Sequence, residues 1–215
     1  MSNAAEVHDD GFSFEQAANL SADFPASMTD YFSQPGMIRV IGGGIHLSNT
    51  DQLADFICGS PVAEAARIAE VRSTIYSAYW GRKLFDAAFP QVPATTGKLI
   101  RTVRLTLRQL GFKRPVTLST VVQRARQCGL AECPHFVAYH YRLRYIGQPL
   151  DETLYILTKS VDIGDGELSL FGLHHRRMYA SNDYKKQENI LWMDGHDGQP
   201  NLLWSSNSEW VFAIA

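Results

Sequence analysis

Four side chains of types that bind zinc lie close together in the middle of the sequence. They are Cys128, Cys133, His135 and His140. Thiolates and imidazoles are common zinc ligands, but the spacing C-x4-C-x-H-x4-H matches no zinc-binding pattern. Cys133 also lies in a predicted helix-capping turn. We therefore interpret the cysteines as buried core residues and the histidines as ordinary ones, and we expect no metal and no cofactor.

Acid–base chemistry has a candidate in the C-terminal part of the chain. Asp194, His196 and Asp197 form a compact group of carboxylates and imidazole, which can perform general acid–base catalysis or bind a cation. The glycines on either side indicate a turn as the simpler interpretation. His174 and His175 come before two arginines, and adjacent residues of a strand face opposite sides. We interpret that segment as a basic strand edge.

Two further catalytic patterns are incomplete. Ser160, His140 and Glu152 have the residue types of a nucleophile–base–acid set, but the sequence contains no Gly-x-Ser-x-Gly elbow. A glycine triplet, Gly42-Gly43-Gly44, follows a short apolar strand without the Lys-Ser/Thr of a phosphate-binding loop. We predict a turn or bulge at the triplet.

A cluster of polar residues after the centre of the chain is the strongest candidate for a ligand site. Arg142, Arg144, Gln148 and Glu152 are close in sequence. An arginine can hold a carboxylate or phosphate through two parallel hydrogen bonds, so this cluster could bind an anionic or amide-bearing group. The alternative is internal: an Arg142–Glu152 ion pair that joins a helix to the first strand of the C-terminal sheet.

A pair of helices in the middle of the chain must position these residues. A hydroxyl at Thr117 or Ser119 can cap the first helix, and Gly129 can close its C-terminus. Pro134 is typical of the first position of a second helix. Residues 137–145 also alternate as a strand would, but the short turn before them favours a helix.

The rest of the chain divides into a helical and a β-rich part. We predict a strand over 37–41, helices over 51–58 and 61–88, and a strand over 98–108. Later strands are predicted over 153–161, 167–173, 189–193, 202–204 and 209–214. This order predicts an α+β protein, in which a helix-rich N-terminal half packs on a mainly antiparallel C-terminal β-sheet.

Length and composition indicate a single domain with a real core. The chain has 215 residues, of which 45% are hydrophobic and 20% charged. Residues 37–215 are predicted to form one domain. Residues 1–36 contain scattered aromatic side chains, so we expect them to be an arm packed on that domain, since a disordered tail has few aromatics.

Charge and cysteine content limit the partners and the compartment. The formal net charge of −2 does not favour nucleic-acid binding, and no apolar run is long enough to cross a bilayer. The N-terminus has no signal-peptide pattern. Three cysteines do not make a disulfide framework. We expect a cytoplasmic protein with no nucleic-acid and no membrane partner.

One segment carries a family resemblance. It consists of Gly129-Leu130, Cys133-Pro134, Arg142-Leu143, Tyr145, Gln148-Pro149 and Glu152. This pattern resembles a family of bacterial hypothetical proteins with no assigned activity, over residues of about 99–215. The resemblance implies a bacterial protein and no catalytic residues. This chain departs from the family at His135, Phe136 and Val137, where the family is usually acidic and small.

The absence of a complete catalytic motif favours a binding function. We expect a non-enzymatic binding or protein-interaction module whose partner is a protein or a small molecule. The alternative is a hydrolase-like enzyme that uses histidines and carboxylates at the sheet edge. A deep pocket with converging His, Asp or Glu side chains would favour the enzyme.

Overall fold

The computed structural model describes residues 37–40, 43–46, 52–74, 79–89, 97–180 and 183–215. Within these ranges there are four helices: α1 (Pro61–Thr74), α2 (Tyr79–Ala88), α3 (Leu118–Gln127) and α4 (Phe136–Arg144). The same ranges contain eleven strands: β1 (Met37–Val40), β2 (Gly43–His46), β3 (Leu53–Ile57), β4 (Leu99–Thr106), β5 (Val116–Thr117), β6 (Leu130–Ala131), β7 (Thr153–Asp162), β8 (Leu168–Ala180), β9 (Asp183–Asp197), β10 (Leu203–Trp204) and β11 (Glu209–Ile214). The predicted arm, residues 1–36, lies outside the described residues.

One large sheet organises the molecule. Its strand order is β3-β4-β11-β7-β8-β9, and β6 adds a short pairing to β11. The last strand, β11, lies between β4 and β7, antiparallel to β4 and parallel to β7. The remaining neighbours in this sheet are antiparallel. Two small pairs stand apart from it, β1 with β2 and β5 with β10.

The predicted fold class is wrong, because strands dominate the structure and come from both halves of the chain. The error begins at residues 51–58, where we predicted a helix and β3 forms instead. Ala54 and Phe56 point into the core, whereas Leu53 and Ile57 are exposed. This alternation is typical of a strand with one face on the core, and β3 pairs with β4 along its whole length.

One other prediction in the C-terminal part is wrong, and one is right only in part. The turn expected at residues 194–198 is mostly the end of β9, which continues to Asp197. Of the basic edge expected at residues 174–177, Arg176 and Arg177 are exposed and lie beyond the pairing with β7, whereas His174 is buried and pairs with both β7 and β9. Gly195 indicated a turn, but in the structure it allows other atoms to pack closely against the backbone of β9. A Cβ there would lie 2.8 Å from Ser169 Oγ and 3.2 Å from Trp80 O.

The central helix pair is confirmed. Thr117 Oγ1 accepts a hydrogen bond from the amide of Thr120 at 3.4 Å and so caps α3. Gly129 has a φ of 71°, the left-handed conformation expected after a helix. Helix α4 begins two residues after Pro134, which excludes the alternative strand over 137–145. The long helix predicted over 61–88 corresponds to α1 and α2, and the residues between them lie outside the described part.

Both faces of the large sheet are covered by helices. One hydrophobic cluster joins Phe56, Ile156 and Phe171 to side chains of α1, α2 and α4. The second joins Trp210 and Phe212 of the opposite face to side chains of α3. Neighbouring residues of β11 therefore contribute to different clusters, which explains why that strand is almost entirely buried.

The second face also holds a histidine pair that requires a glycine. A Cβ at Gly172 would lie 2.4 Å from Cδ2 and 2.5 Å from Nε2 of His196, and 3.2 Å from Nε2 of His174. These distances are too short for any side chain unless the imidazoles move. Gly172 therefore leaves space for the imidazole rings of His174 and His196 against β8.

We expect Gly172→Ala to lower the free energy of unfolding by about 1–3 kcal/mol, because overpacking displaces the histidine pair. Gly147→Ala is the matched control, since a Cβ there meets nothing within 4 Å. Urea unfolding followed by circular dichroism measures both changes. Equal stability of the two variants would show that the close approach at Gly172 is not a constraint.

Candidate functional site

A cleft of about 290 Å³ opens where β3 meets α1 and α4. Its lining consists of Asp55, Ile57, Gly59, Arg67, His140, Leu143 and Arg144. Among the described strands, β3 pairs only with β4, so the opposite side of β3 is a free edge. The cleft is therefore lined by the unpaired backbone edge of β3, by two guanidinium groups and by an imidazole.

A buried carboxylate forms the base of this site. Glu64, in the first turn of α1, has no exposed surface. Its Oε1 accepts hydrogen bonds from the amide of Gly59 at 2.6 Å and from Arg67 Nη1. Its Oε2 accepts from Tyr139 Oη at 2.5 Å and lies 2.7 Å from His140 Nε2. We call these five residues the Glu64 cluster.

The local sequence explains how the cluster forms. Ser60 caps α1, with its Oγ 3.3 Å from the amide of Ala63, and this places Glu64 in the first turn. In α4 every residue from Phe136 to Arg142 is buried, because the helix packs between the sheet and α1. Tyr139 and His140 are adjacent, and both reach the same carboxylate oxygen.

The hydrogen bonds decide the charge of the cluster. Burial alone would raise the pKa of Glu64, but the bonds from Tyr139, His140 and Gly59 outweigh burial and leave that pKa lowered. Burial, followed by the bond to Glu64, raises the pKa of Tyr139. Burial also lowers the pKa of His140, against the pull of Glu64. The cluster thus holds an ionised Glu64, and His140 is neutral with its proton on Nε2.

Two arginines line the cleft from different elements. Arg67 of α1 uses Nη1 for Glu64 and has 38% of its side chain exposed. Arg144, the last residue of α4, is exposed and donates from Nη1 to the carbonyl of Asp55 at 2.5 Å. Its guanidinium carbon lies 5.1 Å from the centre of the Phe56 ring. Each arginine keeps donors for a ligand, since a guanidinium carries several N–H groups.

The predicted ligand residues do not all meet at one place. Arg144 lines the cleft, whereas Arg142 and Gln148 are buried. Arg142 Nη1 donates to Gln148 Oε1 at 2.7 Å, and its Nη2 donates to the carbonyl of Tyr145 at 2.5 Å. Burial lowers the pKa of Arg142 to about 10. Arg142 and Gln148 therefore form part of the internal structure.

Glu152 has a different partner from the one we predicted. Arg104 of β4 donates from Nη2 to Glu152 Oε1 and to Glu209 Oε2, and from Nη1 to the hydroxyl of Tyr145. The expected Arg142–Glu152 ion pair is wrong, because Arg104 takes its place. Residues 104, 152 and 209 lie on three adjacent strands or their ends, so this ion group holds β4, β11 and β7 together.

The four residues considered for zinc lie apart. Cys128 belongs to the hydrophobic cluster under α3, and Cys133 belongs to the cluster on the other face. His135 Nε2 lies 2.9 Å from the carbonyl of Lys159, and His140 is part of the Glu64 cluster. In the described part of the chain, no three His, Cys, Asp or Glu side chains are grouped as metal ligands would be. All three cysteines are free and buried.

The predicted acid–base group of Asp194, His196 and Asp197 is not assembled either. His196 Nε2 lies 2.8 Å from His174 Nε2, across the two strands. Asp194 and Asp197 instead accept hydrogen bonds from nearby backbone amides at 2.8 Å. His174 stacks on Trp192. Burial lowers the pKa of His174 to about 3, and burial also lowers the pKa of His196.

Sequence reasoning missed Glu64 and Arg67 as site residues. A glutamate in the first turn of a helix is common, because it interacts favourably with the helix dipole. The contact between Glu64 and His140 spans 76 residues of sequence, so no local pattern reveals it. In the sequence, His140 stands out only as one of the residues of zinc-binding type and as the base of an incomplete catalytic set.

Comparisons with known proteins add no relative. No family model, no curated protein and no solved structure matches this chain. The resemblance of residues 99–215 to a bacterial family therefore stays a prediction. In the part of the chain that the structure describes, no helix is both long and apolar enough to cross a membrane.

We expect Glu64→Gln to lower the free energy of unfolding by about 2–4 kcal/mol, because the amide turns an N–H toward groups that themselves donate. The difference from the wild type should shrink below pH 4.5, the ordinary pKa of Glu, since the contribution of a lowered pKa is lost as pH falls. Urea unfolding over a pH series measures this. Glu167→Gln, at an exposed turn, is the control.

The histidine pair predicts a separate pH dependence. Because the pKa of His174 falls from 6.5 to about 3 on folding, the unfolded chain binds protons first. Stability should be full above pH 6.5 and decrease as pH falls, by up to about 1.4 kcal/mol per pH unit for one histidine. His174→Asn with His196→Asn should flatten this slope between pH 6.5 and 4.5. If this double variant keeps the wild-type slope, the histidine pair is not responsible for it.

Proposed function

We propose that this protein is a non-enzymatic binding module that holds a small anionic ligand in the cleft between β3, α1 and α4. The observation behind the proposal is that Arg67 and Arg144 line one cleft from different helices. Both guanidinium groups lie close enough to His140 to lower its pKa further, after burial. The cleft thus presents two guanidinium groups to whatever enters it, of which Arg67 is already paired with the ionised Glu64.

The chemistry of the lining fits a carboxylate or a phosphate. A guanidinium binds either group through two parallel hydrogen bonds, which gives geometry as well as energy. Asp55 also lines the cleft, but its Oδ1 accepts from Arg101 Nε at 3.2 Å, so its charge is partly matched. Glu64 is fully buried and already bound by four donors. The charge left for a ligand is positive.

The size of the cleft supports a small ligand or a small part of a larger one. Its volume of about 290 Å³ lies at the lower end of typical ligand pockets. Ile57, which is 56% exposed, and Leu143 supply apolar surface beside the arginines. A ligand with one acidic group and a short apolar part would use both kinds of surface.

A hydrolase is the second candidate, because one observation favours it. His140 lines the cleft and is oriented by Glu64 at 2.7 Å, as a general base is oriented by a carboxylate. It is the weaker candidate, because the described residues of the lining include no Ser, Thr or Cys and His140 Nε2 is already engaged by Glu64. Turnover of 4-nitrophenyl acetate that His140→Asn abolishes, and that His135→Asn does not, would favour the enzyme.

We also propose a cytoplasmic protein of bacterial origin. The three free and buried cysteines support a reducing compartment. The resemblance of residues 99–215 to a family of bacterial proteins supports the bacterial origin. The net charge of −2 supports a partner that is not a nucleic acid.

We expect Arg144→Gln to weaken the binding of succinate and inorganic phosphate about tenfold or more, since a charge-assisted hydrogen bond contributes about 1.5–3 kcal/mol. Arg144→Lys keeps the charge without the planar fork and should give an intermediate loss. Titration followed by amide NMR shifts measures the affinities.

Arg114→Gln is the matched control, because Arg114 is exposed and remote in sequence from the cleft residues. It should bind both anions as the wild type does. Unchanged affinity in Arg144→Gln, or no saturable binding of either anion to the wild type, would contradict the proposal.

A further inference from the structure

We infer that the natural ligand of the cleft is the C-terminal carboxylate of a polypeptide, whose last residues pair with the free edge of β3. This inference rests on the proposed anion-binding function and names its ligand. It combines two features of the cleft that a free small anion would not use together: two arginines, and unpaired strand backbone beside them.

The backbone of β3 alternates in the direction of its polar groups. The amide of Cys58 donates to the carbonyl of Lys98 at 3.2 Å, toward β4. In an antiparallel pair, successive residues direct their N–H and C=O to opposite sides. Ile57 and Asp55 therefore direct theirs to the free edge, and the bond from Arg144 to the carbonyl of Asp55 confirms that direction.

Ile57 is the point where an incoming strand can pair. The carbonyl of Asp55 is occupied by Arg144, and the amide of Gly59 is occupied by Glu64. Between these two positions, the N–H and C=O of Ile57 face the cleft. Only a short pairing is possible, which suits the end of a chain and not a long internal strand.

The arginines then receive the terminal carboxylate. An extended chain paired at Ile57 reaches its end beside Arg67 and Arg144, which line the same cleft. The apolar surface of Ile57 and Leu143 accommodates the last side chain, so we expect an apolar C-terminal residue. Backbone pairing gives affinity, and the carboxylate contact selects chain ends.

The test uses synthetic hexapeptides with free C-termini, randomised at the last four positions, screened on the wild-type protein. Each binder is then made as its C-terminal amide. We expect the free acids to bind and the amides to bind about tenfold more weakly or not at all, since the amide removes the charge that the guanidinium groups contact. Arg144→Gln should abolish this difference, and Arg114→Gln should preserve it.

Backbone pairing has its own readout. N-methylation of one of the last two peptide nitrogens should weaken binding about tenfold, and N-methylation of the other should not, because only alternate N–H groups face β3. Hydrogen exchange of the Ile57 amide should slow with the peptide and stay unchanged with succinate. Equal effects of the two N-methyl groups, or equal binding of acids and amides, would overturn the inference.

The two proposals fail in different ways. If succinate and phosphate bind through Arg144 but no free-acid peptide binds, the cleft is an anion site and the peptide inference is wrong. If neither anions nor peptides bind, both proposals are wrong. Peptide binding that requires the free carboxylate and Arg144 supports both.

Discussion

The buried carboxylate of Glu64 is the constraint on which the candidate site depends. An ionised group without exposed surface is tolerated only when hydrogen bonds replace its water. Glu64 receives donors from Gly59, Arg67, Tyr139 and His140, which belong to the turn before α1, to α1 itself and to α4. Satisfying one charge therefore fixes the distance and rotation of two helices. The cleft lies where this arrangement meets β3.

The sheet shows the same dependence on contacts that are distant in sequence. The last strand, β11, lies between β4 and β7, so neither neighbour completes its pairing before the end of the chain is present. Arg104 of β4 reinforces this junction by contacting Glu209 at the start of β11 and Glu152 just before β7. Such pairings form slowly, because long loops must close first. The fold is set by these pairings and not by a separate helical half.

Local chemistry explains what could be predicted from the sequence. Thr117, Gly129 and Pro134 act through their own backbone neighbours, so the helix pair could be predicted, although α4 begins two residues later than Pro134 indicates. Residues 51–58 could not, because polar residues before them and Gly59 after them resemble helix caps, whereas pairing with β4 decides their state. Gly195 predicts a turn from its residue type alone, because a close packing contact leaves no trace in the local sequence. Of the predicted ligand residues, only Arg144 lines the cleft. Glu64 could not be predicted, because it contacts Tyr139 and His140 of a helix that is distant in sequence.

The distribution of arginines around α4 explains why the cleft is the place to expect a ligand. Arg104 is saturated by two carboxylates and a hydroxyl, and Arg142 by an amide oxygen and backbone carbonyls. Arg142 is buried and Arg104 has only 17% of its side chain exposed, so their charges serve the fold. Arg67 and Arg144 each make a single internal hydrogen-bond contact, through one nitrogen, and remain accessible. Because stability does not require every donor of these two side chains, the remaining donors are available for recognition, and they lie together at the free edge of β3.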